Sequence, residues 1–398
     1  MEHGTMCSQN RLAVCILTTM HPTDDVRVRN KFAASFVAAG FDVTWVGPDH
    51  AYFDQDSKND SGIRFRLVTG EPGALKRIAR LWKLARIVRR LKRVDVLYSP
   101  DPDAALLATL LADGHGASVV FDIHEVFHTY MLSRWLGGRS MPVASKLVLA
   151  VMEWICRRCA LVVGTCESTL APYRQSCRNH LIVRGCAPAW FAEGEPAAVA
   201  SSGRNTFRLF HGKTGADRGT NLVLAALGLV AQSARQVRVV LIDRFRDMAE
   251  RTHFWQEVDR IGIRDMIVLL PGVRMQEMVS LLRTCDVGLV AYDRGMGMDT
   301  LANRPFEYMA AGLPLLVPEY SREIADIVRA EQCGLLADFE DARSVSEGIL
   351  ELLKYPEKTR QMGLRARQAF LERHNWDSEV KPLLNWMSQR VSERQKVI

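Results

Sequence analysis

Short apolar runs alternate with longer amphipathic segments along most of the chain, and this alternation limits the folds available to it. The buried strands of a parallel sheet read as nearly continuous apolar runs, and each is joined to the next by a crossover, usually a helix. The sequence therefore predicts an α/β fold with parallel sheets. In the first half we expect strands at 12–18, 43–46, 64–68, 94–98, 118–121, 161–164 and 181–183, and helices at 27–39, 74–92, 102–113, 142–158 and 168–176.

A stretch with almost no large apolar side chains, EGEPAAVASSGRN, interrupts the alternation at 193–205. Ala, Ser, Gly and Pro dominate it, which is typical of a linker. Beyond it we expect strands at 207–210, 237–242, 267–270, 287–291 and 315–317, helices at 219–232, 248–261, 275–283 and 304–311, and then three C-terminal helices. The 398 residues thus form two α/β halves. Ligands of such sheets bind beyond the carboxyl ends of the strands, so a cleft between the halves is the expected site.

The composition excludes several classes of protein. With 48% hydrophobic and 24% charged residues, the chain is not mainly disordered, collagen-like or a coiled coil. Its mainly apolar segments, such as 104–112, are too short to cross a bilayer, and its first residues lack the basic start and apolar core of a signal peptide. We expect a cytoplasmic protein, with attachment to the cytoplasmic face of the membrane as an option. The one CxxC pair, Cys156 and Cys159, lies in a helical pattern without a partner pair at zinc spacing, so reduced core thiols are favoured over a metal site.

A glycine-rich turn follows the first strand of the second half, in the segment FHGKTGADRGTN at 210–221. Gly212 and Gly215 allow a tight turn from strand to helix, and Lys213 and Arg218 bracket it. Backbone N–H groups, a helix N-terminus and two cations on one loop suit a diphosphate. The alternative is a solvated basic turn without a ligand.

A second motif, NRPFEYMAAGLPLL at 303–316, begins a helix and leads into the next strand. Glu307 lies in the first turns of that helix, where an acid is favourable even without a ligand. The loop before it contains Gly295 and Gly297, which can present backbone N–H groups to an anion.

Taken in order, these motifs resemble the GT-B glycosyltransferases of the large retaining family 4, the "glycosyl transferases group 1" type. The segments HPTDDVRVRNKFAASFVAAGFDVTWVGP, DVLYSPDPDAALLATLLA, VVFDIHEVF, CGLLADFEDARSVSEGILELL and RHNW extend the resemblance over nearly the whole chain. It implies two Rossmann-like domains whose parallel sheets face each other across an interdomain cleft. The expected domains are an acceptor-binding domain at 1–192, a linker at 193–205, a nucleotide-sugar-binding domain at 206–375, and a C-terminal helix at 376–398 that packs back on the first domain.

The resemblance also implies roles on the donor side. Gly212, Lys213 and Arg218 would bind the donor diphosphate, and Glu307 the ribose, with Asn303 at the start of its helix. Family members often carry another acid eight residues before this Glu, near the donor sugar, and here that position is Asp299, one methylene shorter than the usual Glu. Transferases of this fold generally need no metal or other cofactor, because cations supply the charge. A UDP- or GDP-sugar is the implied co-substrate.

On the acceptor side the sequence departs from the family. Many relatives carry a His-x-His-acid-Pro motif after the strand at 94–98, whereas this chain reads YSPDPD, with Pro100 in place of the second His. Asp101 and His124 are therefore the nearby catalytic candidates. Asp101 is alternatively a helix cap, and His124 an ordinary loop residue. Further acceptor-side candidates follow the first and fifth strands: Asp24, Asp25, Arg27 and Glu125.

Segment 74–93 carries nine Lys or Arg residues and no acid, more than the whole chain's net excess of seven. Apolar residues recur in it at three- and four-residue spacing, which predicts an amphipathic helix. A solvated face is one interpretation, and binding to an anionic leaflet is another. Nucleic acid is disfavoured, since no nucleic-acid module accompanies the charge. The candidate membrane-contacting residues are Lys76, Arg77, Arg80, Trp82, Lys83, Arg86, Arg89 and Arg90.

These features together predict a retaining glycosyltransferase of the hexosyltransferase type. It would move a sugar from a nucleotide diphosphate sugar to an acceptor hydroxyl, in exopolysaccharide or other glycan assembly on a lipid-linked acceptor. The alternatives are a transferase with a soluble small-molecule acceptor, a nucleotide-sugar-binding subunit without catalysis, and an epimerase on the same scaffold.

Overall fold

The computed structural model describes residues 11–50, 62–69, 74–124, 142–195, 206–215, 218–298 and 301–395. The chain divides into two compact units. Unit 1 comprises residues 1–183 together with 380–398, and unit 2 comprises residues 184–379. Most of the segment expected as a linker, 196–205, lies outside the described residues.

Unit 1 is built on a seven-stranded sheet in the order β3-β2-β1-β4-β5-β6-β7. Every neighbouring pair of strands is parallel. The strands are β1 Ala13–Leu17, β2 Asp42–Pro48, β3 Ile63–Val68, β4 Val96–Ser99, β5 Ser118–Ile123, β6 Leu161–Gly164 and β7 His180–Ile182.

The crossovers of unit 1 are mostly helical. They are a π-helix at Val28–Ala33, α1 Ala34–Ala38, α2 Ala74–Arg89, α3 Pro102–His115, α4 Pro142–Arg158, α5 Glu167–Leu170 and a 3₁₀ segment at Ala171–Ser176, and the last helix of the chain, α15 Lys381–Gln395, also belongs to this unit. Buried residues of α2, α3 and α4, such as Leu84, Ala108 and Ile155, form one apolar cluster with Phe121 of the sheet. These three helices therefore cover the same face of the sheet.

Unit 2 repeats this plan with six parallel strands in the order β10-β9-β8-β11-β12-β13. The strands are β8 Phe207–Lys213, β9 Val237–Ile242, β10 Ile267–Leu270, β11 Val287–Leu289, β12 Leu315–Pro318 and β13 Gly334–Ala337. The helices are α6 Thr220–Val230, α7 Met248–Ile261, α8 Met275–Leu282, α9 Arg294–Gly297, α10 Arg304–Ala311, α11 Arg322–Glu331, α12 Ala342–Lys354, α13 Pro356–Glu372 and α14 Trp376–Glu379, with 3₁₀ segments at Ala189–Ala192 and Arg264–Met266.

The predicted α/β class with two Rossmann-like parallel sheets is confirmed. Several details were wrong. Within the described ranges, five helices follow β12 where three were expected, and the helix expected at 27–39 is a π-helix followed by α1. The sequence predicted only helices after residue 317, but β13 forms an edge strand there; it has four residues and is largely half-buried, so its apolar signal is short. The single helix expected at 168–176 is instead α5 followed by a 3₁₀ segment, because Pro172 has no N–H to continue an α-helix.

Among the residues that the structure describes, no helix combines the length and the apolar character needed to cross a bilayer.

Candidate functional site

Unit 2 contains a cavity of about 160 Å³ at the carboxyl ends of β8 and β11. This is the edge at which a parallel sheet presents its loops and helix N-termini to a ligand. Three of the side chains around the cavity are cationic. The lining residues are His211, Lys213, Arg218, Leu289, Val290, Ala291, Tyr292 and Arg304.

Glycines bring the cations to this cavity. Gly212 has φ 88° at a bulge in β8, and a Cβ there would overlap Nη1 of Arg304. Gly219 has φ 66° at the start of α6, and a Cβ there would overlap the carbonyl oxygen of Ala291. Both positions therefore need glycine, one for its close contact with the guanidinium and the other for its contact with the chain after β11.

The three cations have different surroundings. Lys213 is exposed, and Arg218 is half-buried with its guanidinium carbon 5.1 Å from the centroid of the Tyr292 ring. Arg304 begins α10 and is half-buried, with its guanidinium carbon 5.5 Å from the centroid of the Phe210 ring. Their positive charges converge on one small cavity, which is the electrostatic arrangement of a phosphate-binding site.

His211 lies at the same cavity and is only 5% exposed. Its Nε2 is 3.1 Å from the hydroxyl oxygen of Thr220, which itself accepts a hydrogen bond from the Gly215 N–H. Burial, together with the charges of Arg304 and Arg218, lowers the pKa of His211 to about 3. The imidazole is therefore neutral at physiological pH.

In unit 1, polar side chains cluster at the carboxyl ends of β1, β4 and β5. Asp101, which is fully buried, follows β4, and its Oδ2 accepts hydrogen bonds from the Thr18 hydroxyl at 2.6 Å and the Thr19 N–H at 2.8 Å. Although Asp101 precedes α3, its side chain makes no capping hydrogen bond. Its carboxylate therefore fixes the loop after β1 rather than the start of a helix.

His21 connects two carboxylates of this cluster. Its Nδ1 is 3.2 Å from Oδ2 of Asp25, and its Nε2 is 3.4 Å from Oδ1 of Asp101. Burial opposes the charged form of His21, but the hydrogen bond with Asp25 and the charges of Asp101 and Asp25 outweigh it and raise the pKa of His21 to about 9. The His124 ring lies beside it, with the two ring centroids 5.2 Å apart. His21 is therefore an imidazolium at neutral pH.

A buried ion pair joins the first loop to β5. Arg27 donates to both oxygens of Asp122, from Nη2 at 2.7 Å and from Nε at 3.0 Å, and the Tyr98 hydroxyl donates to Oδ2 at 2.7 Å. Burial opposes ionisation of Asp122, but the charge and hydrogen bonds of Arg27 outweigh it and lower the pKa of Asp122. Part of the Arg27 guanidinium is therefore already hydrogen-bonded within unit 1.

Two family models match the chain: "Glycosyl transferase 4-like domain" over residues 26–181, and "Glycosyl transferases group 1" over residues 194–369. Together they cover most of both units. The chain belongs to the group 1 glycosyltransferases. It is therefore a transferase with the GT-B fold, as the resemblance implied.

Known structures similar to this glycosyltransferase agree on its fold. HepE from Anabaena, solved in complex with UDP, is 14% identical, with a TM-score of 0.74 over 95% of this chain and 100% of that chain. Sucrose-phosphate synthase from Thermosynechococcus elongatus is 16% identical, with a TM-score of 0.75 over 96% of this chain and 100% of that chain. Spore coat protein SA of Bacillus subtilis is 23% identical over 207 residues, 50% of this chain and 54% of that protein. The glycosyltransferase chain thus matches about half the length of this curated relative.

The structure of the glycosyltransferase brings some of the expected donor-side residues together. Lys213 and Arg218 line the cavity around Gly212. Glu307 is half-buried, one turn along α10 from Arg304, and Asn303 is exposed just before that helix. Asp299 lies outside the described residues.

Of the candidates expected near the reacting sugar and the acceptor, Asp25, Arg27, Asp101 and His124 belong to the cluster of unit 1. Asp24 is half-buried near His50. Glu125 lies outside the described residues.

Four residues of these two groups were not predicted from the sequence: His21 and Asp122 in unit 1, and His211 and Arg304 in unit 2. Asp122 gave a signal, since a carboxylate inside the apolar run VVFDI is costly unless it is paired. Arg304 gave another, since a cation at a helix N-terminus opposes the helix dipole.

Proposed function

We propose that the chain is a retaining glycosyltransferase that moves a sugar from a UDP- or GDP-sugar to an acceptor hydroxyl. The observation that carries this proposal is the cavity at the end of β8, where Lys213, Arg218 and Arg304 meet. A diphosphate is the part of such a donor that three converging cations suit best. The complexes of HepE with UDP and with UDP-glucose support a nucleotide sugar as the ligand class.

The chemistry follows from where charge develops. As the bond to the anomeric carbon breaks, negative charge grows on the diphosphate, and cations fixed near it stabilise the transition state. Glu307 would bind the ribose hydroxyls, and Asp299 would lie near the donor sugar. We propose Asp101 and His124 as the residues near the reacting sugar, and Asp24, Asp25, Arg27 and Glu125 on the acceptor side. In a retaining transfer without a protein nucleophile, the departing phosphate accepts the proton of the acceptor hydroxyl.

The donor assignment predicts that a nucleotide sugar raises the unfolding midpoint of the protein. A ligand at about 100 times its Kd stabilises the native state by about 2.7 kcal/mol, which shifts the midpoint of a domain of this size by about 5–10 °C. Thermal unfolding should be followed with UDP-, GDP- and ADP-sugars, each compared with its nucleoside and its free sugar. We expect one donor to produce the shift. No shift with any of the three donors would refute the donor assignment.

We further propose that unit 1 works at an anionic membrane surface on a lipid-linked acceptor. On α2, Trp82 is 61% exposed and Lys83, Arg86 and Arg89 are exposed. The neighbouring helices expose apolar side chains, namely Leu110 on α3 and Val143, Leu147 and Val151 on α4. Because α2, α3 and α4 cover one face of the sheet, cations and apolar side chains lie together on the outside of that layer, as in interfacial membrane proteins.

Not all the cations expected on this surface belong to it. Arg80 is half-buried, and its Nη1 donates to the carbonyl oxygen of Thr19 at 3.1 Å. It therefore points into unit 1 and supports the loop after β1. Arg90 is exposed at the end of α2, and the side chains of Lys76 and Arg77 lie outside the described part of the chain.

Vesicle flotation tests the membrane proposal. We expect the wild type to float with vesicles that contain anionic lipid and not with neutral ones, because each cation near the surface contributes about 1 kcal/mol. The triple variant Lys83→Glu/Arg86→Glu/Arg89→Glu and the variant Leu147→Glu should stay in the soluble fraction. Arg235→Glu, which removes an exposed cation of unit 2, is the matched control. If the wild type floats with neither lipid, a soluble small-molecule acceptor becomes the better interpretation.

A further inference from the structure

We propose that His211 and Arg304 complete the diphosphate site, with His211 donating a hydrogen bond from Nδ1 and Arg304 donating from Nη1 to phosphate oxygens. This inference rests on the proposed nucleotide-sugar donor. It deepens the three-cation site proposed above, because it adds a neutral donor from within β8 and names the atom through which Arg304 binds.

The proposal assigns to His211 the tautomer with its proton on Nδ1, which matches the hydrogen bonds around the ring. The Thr220 hydroxyl oxygen accepts from the Gly215 N–H at 3.1 Å, so its own proton is available for Nε2 of His211, 3.1 Å away. With Nε2 as the acceptor in a neutral ring, Nδ1 carries the proton. This Nδ1 is fully buried and has no hydrogen-bond partner among the described residues.

A buried donor without an acceptor is uncommon in folded proteins, because it has lost its water without a replacement. If His211 were only a core residue bonded to Thr220, its Nδ1–H would have no hydrogen-bond acceptor among the residues that the structure describes. A phosphate oxygen in the cavity would accept this hydrogen bond. The ring stays neutral because burial and the two neighbouring guanidinium groups hold its pKa near 3, so it acts as a hydrogen-bond donor and not as a third positive charge beside them.

Arg304 also has a buried N–H donor without a hydrogen-bond partner in the described ranges. Its guanidinium passes against Gly212, the one residue type that leaves space for it there. Nη1 is buried and lacks a partner within the described part of the chain. No carboxylate within that part forms an ion pair with Arg304; Glu307, one turn further along α10, is the acid whose charge acts on it. A buried guanidinium edge of this kind favours an anion.

His211 and Arg304, which carry the two unsatisfied donors, line the same cavity as Lys213 and Arg218. Four donor side chains from β8, the loop after it and α10 would then surround one anion. Each of them would contact the phosphates and none the base. Together they should therefore determine how much the affinity of the nucleoside diphosphate exceeds that of the nucleoside.

Calorimetric titration with UDP and uridine, and with GDP and guanosine, measures this contribution as the ratio of the nucleoside Kd to the nucleoside diphosphate Kd. We expect Arg304→Met and His211→Phe each to lower the ratio by about 10- to 100-fold, the range of hydrogen bonds to charged groups. His211→Asn, which can place an N–H donor near the position of Nδ1, should lose less than His211→Phe. The matched control Arg260→Met removes an exposed arginine from α7 and should leave the ratio unchanged.

The Kd of the nucleoside serves as a control that separates a loss of diphosphate binding from a loss of structure. A variant that has only lost structure would bind the nucleoside and the nucleoside diphosphate equally poorly, whereas the proposed role lowers the second affinity alone. If the wild type shows no preference for UDP over uridine or for GDP over guanosine, the donor assignment itself fails. If the wild type shows this preference and Arg304→Met and His211→Phe retain it in full, or lose both affinities equally, this inference alone is overturned.

Discussion

Replacing Lys213 by alanine is expected to lower the rate of sugar transfer by about 10²–10³-fold and to leave the protein folded. Lys213 is the last residue of β8 and its side chain is exposed, so its removal leaves no cavity in the core. We expect the rate to depend on it because, in the proposed site, its positive charge lies where the departing diphosphate becomes more negative. The loss should therefore appear mainly in kcat, since the interaction strengthens in the transition state.

The measurement is transfer from the donor that the thermal screen identifies, with donor consumption followed in the presence and absence of acceptor. Glu307→Ala should lose transfer to a similar degree through weaker donor binding. Lys358→Ala is the matched control, since Lys358 is an exposed lysine of unit 2 whose Nζ is 2.7 Å from Glu351. Transfer rates near wild type in both Lys213→Ala and Glu307→Ala would remove the donor site from this cavity. A wild type that binds the donor but never consumes it would instead indicate a binding subunit.

The sequence predicted the sheets well because strands that are buried on both faces appear in the sequence as short, nearly continuous apolar runs. The strands Val237–Ile242 and Leu161–Gly164 are short, apolar and flanked by helices, so their bounds follow from the pattern alone. The glycine-rich turn proposed to bind phosphate could be recognised for a related reason: Gly212, Lys213 and Arg218 are close in sequence, and their proposed roles depend on local backbone geometry.

The other site residues depend on contacts between distant segments, which a single sequence does not contain. Asp122 meets Arg27 across 95 positions, and Arg304 reaches Gly212 from a helix almost a hundred residues away. The sequence does show a local conflict at both positions, because Asp122 is an acid in an apolar strand and Arg304 is a cation at a helix N-terminus. Such conflicts persist where tertiary contacts or a ligand compensate for them, and they are the signal that points to functional positions.

Removing Asp122 is expected to have the largest effect on stability. Asp122→Ala leaves the guanidinium of Arg27 largely buried without its carboxylate, and breaking a buried pair in this way costs about 3–5 kcal/mol. For a domain of this size the unfolding midpoint falls by roughly 10 °C. Thermal unfolding of the full chain, followed by circular dichroism, measures the midpoint, and urea denaturation measures the free energy of unfolding. Glu257→Ala, which breaks the exposed pair with Arg260, is the control and should leave the midpoint unchanged.

The pH dependence of this loss identifies its cause. Because Arg27 lowers the pKa of Asp122 in the folded state, the pair contributes its full stability above the pKa of an unfolded aspartate, about 3.9, and loses it as the pH falls through the lower folded-state value. The difference between wild type and Asp122→Ala should therefore be constant near neutral pH and shrink in acid. A difference that does not change down to the acid unfolding of the wild type would contradict the ionic origin.

The double variant Arg27→Met/Asp122→Leu separates the structural role of the pair from its role at the site. Apolar residues of similar volume need no desolvation of charge, so we expect most of the lost stability to return. Transfer activity should not return with it, because Arg27 is also proposed to act on the acceptor side, and because Asp122 lies at the end of β5 beside His124. A double variant that is stable and transfers sugar at the wild-type rate would restrict the Arg27–Asp122 pair to holding the fold. A stable but inactive one would place it in the acceptor site.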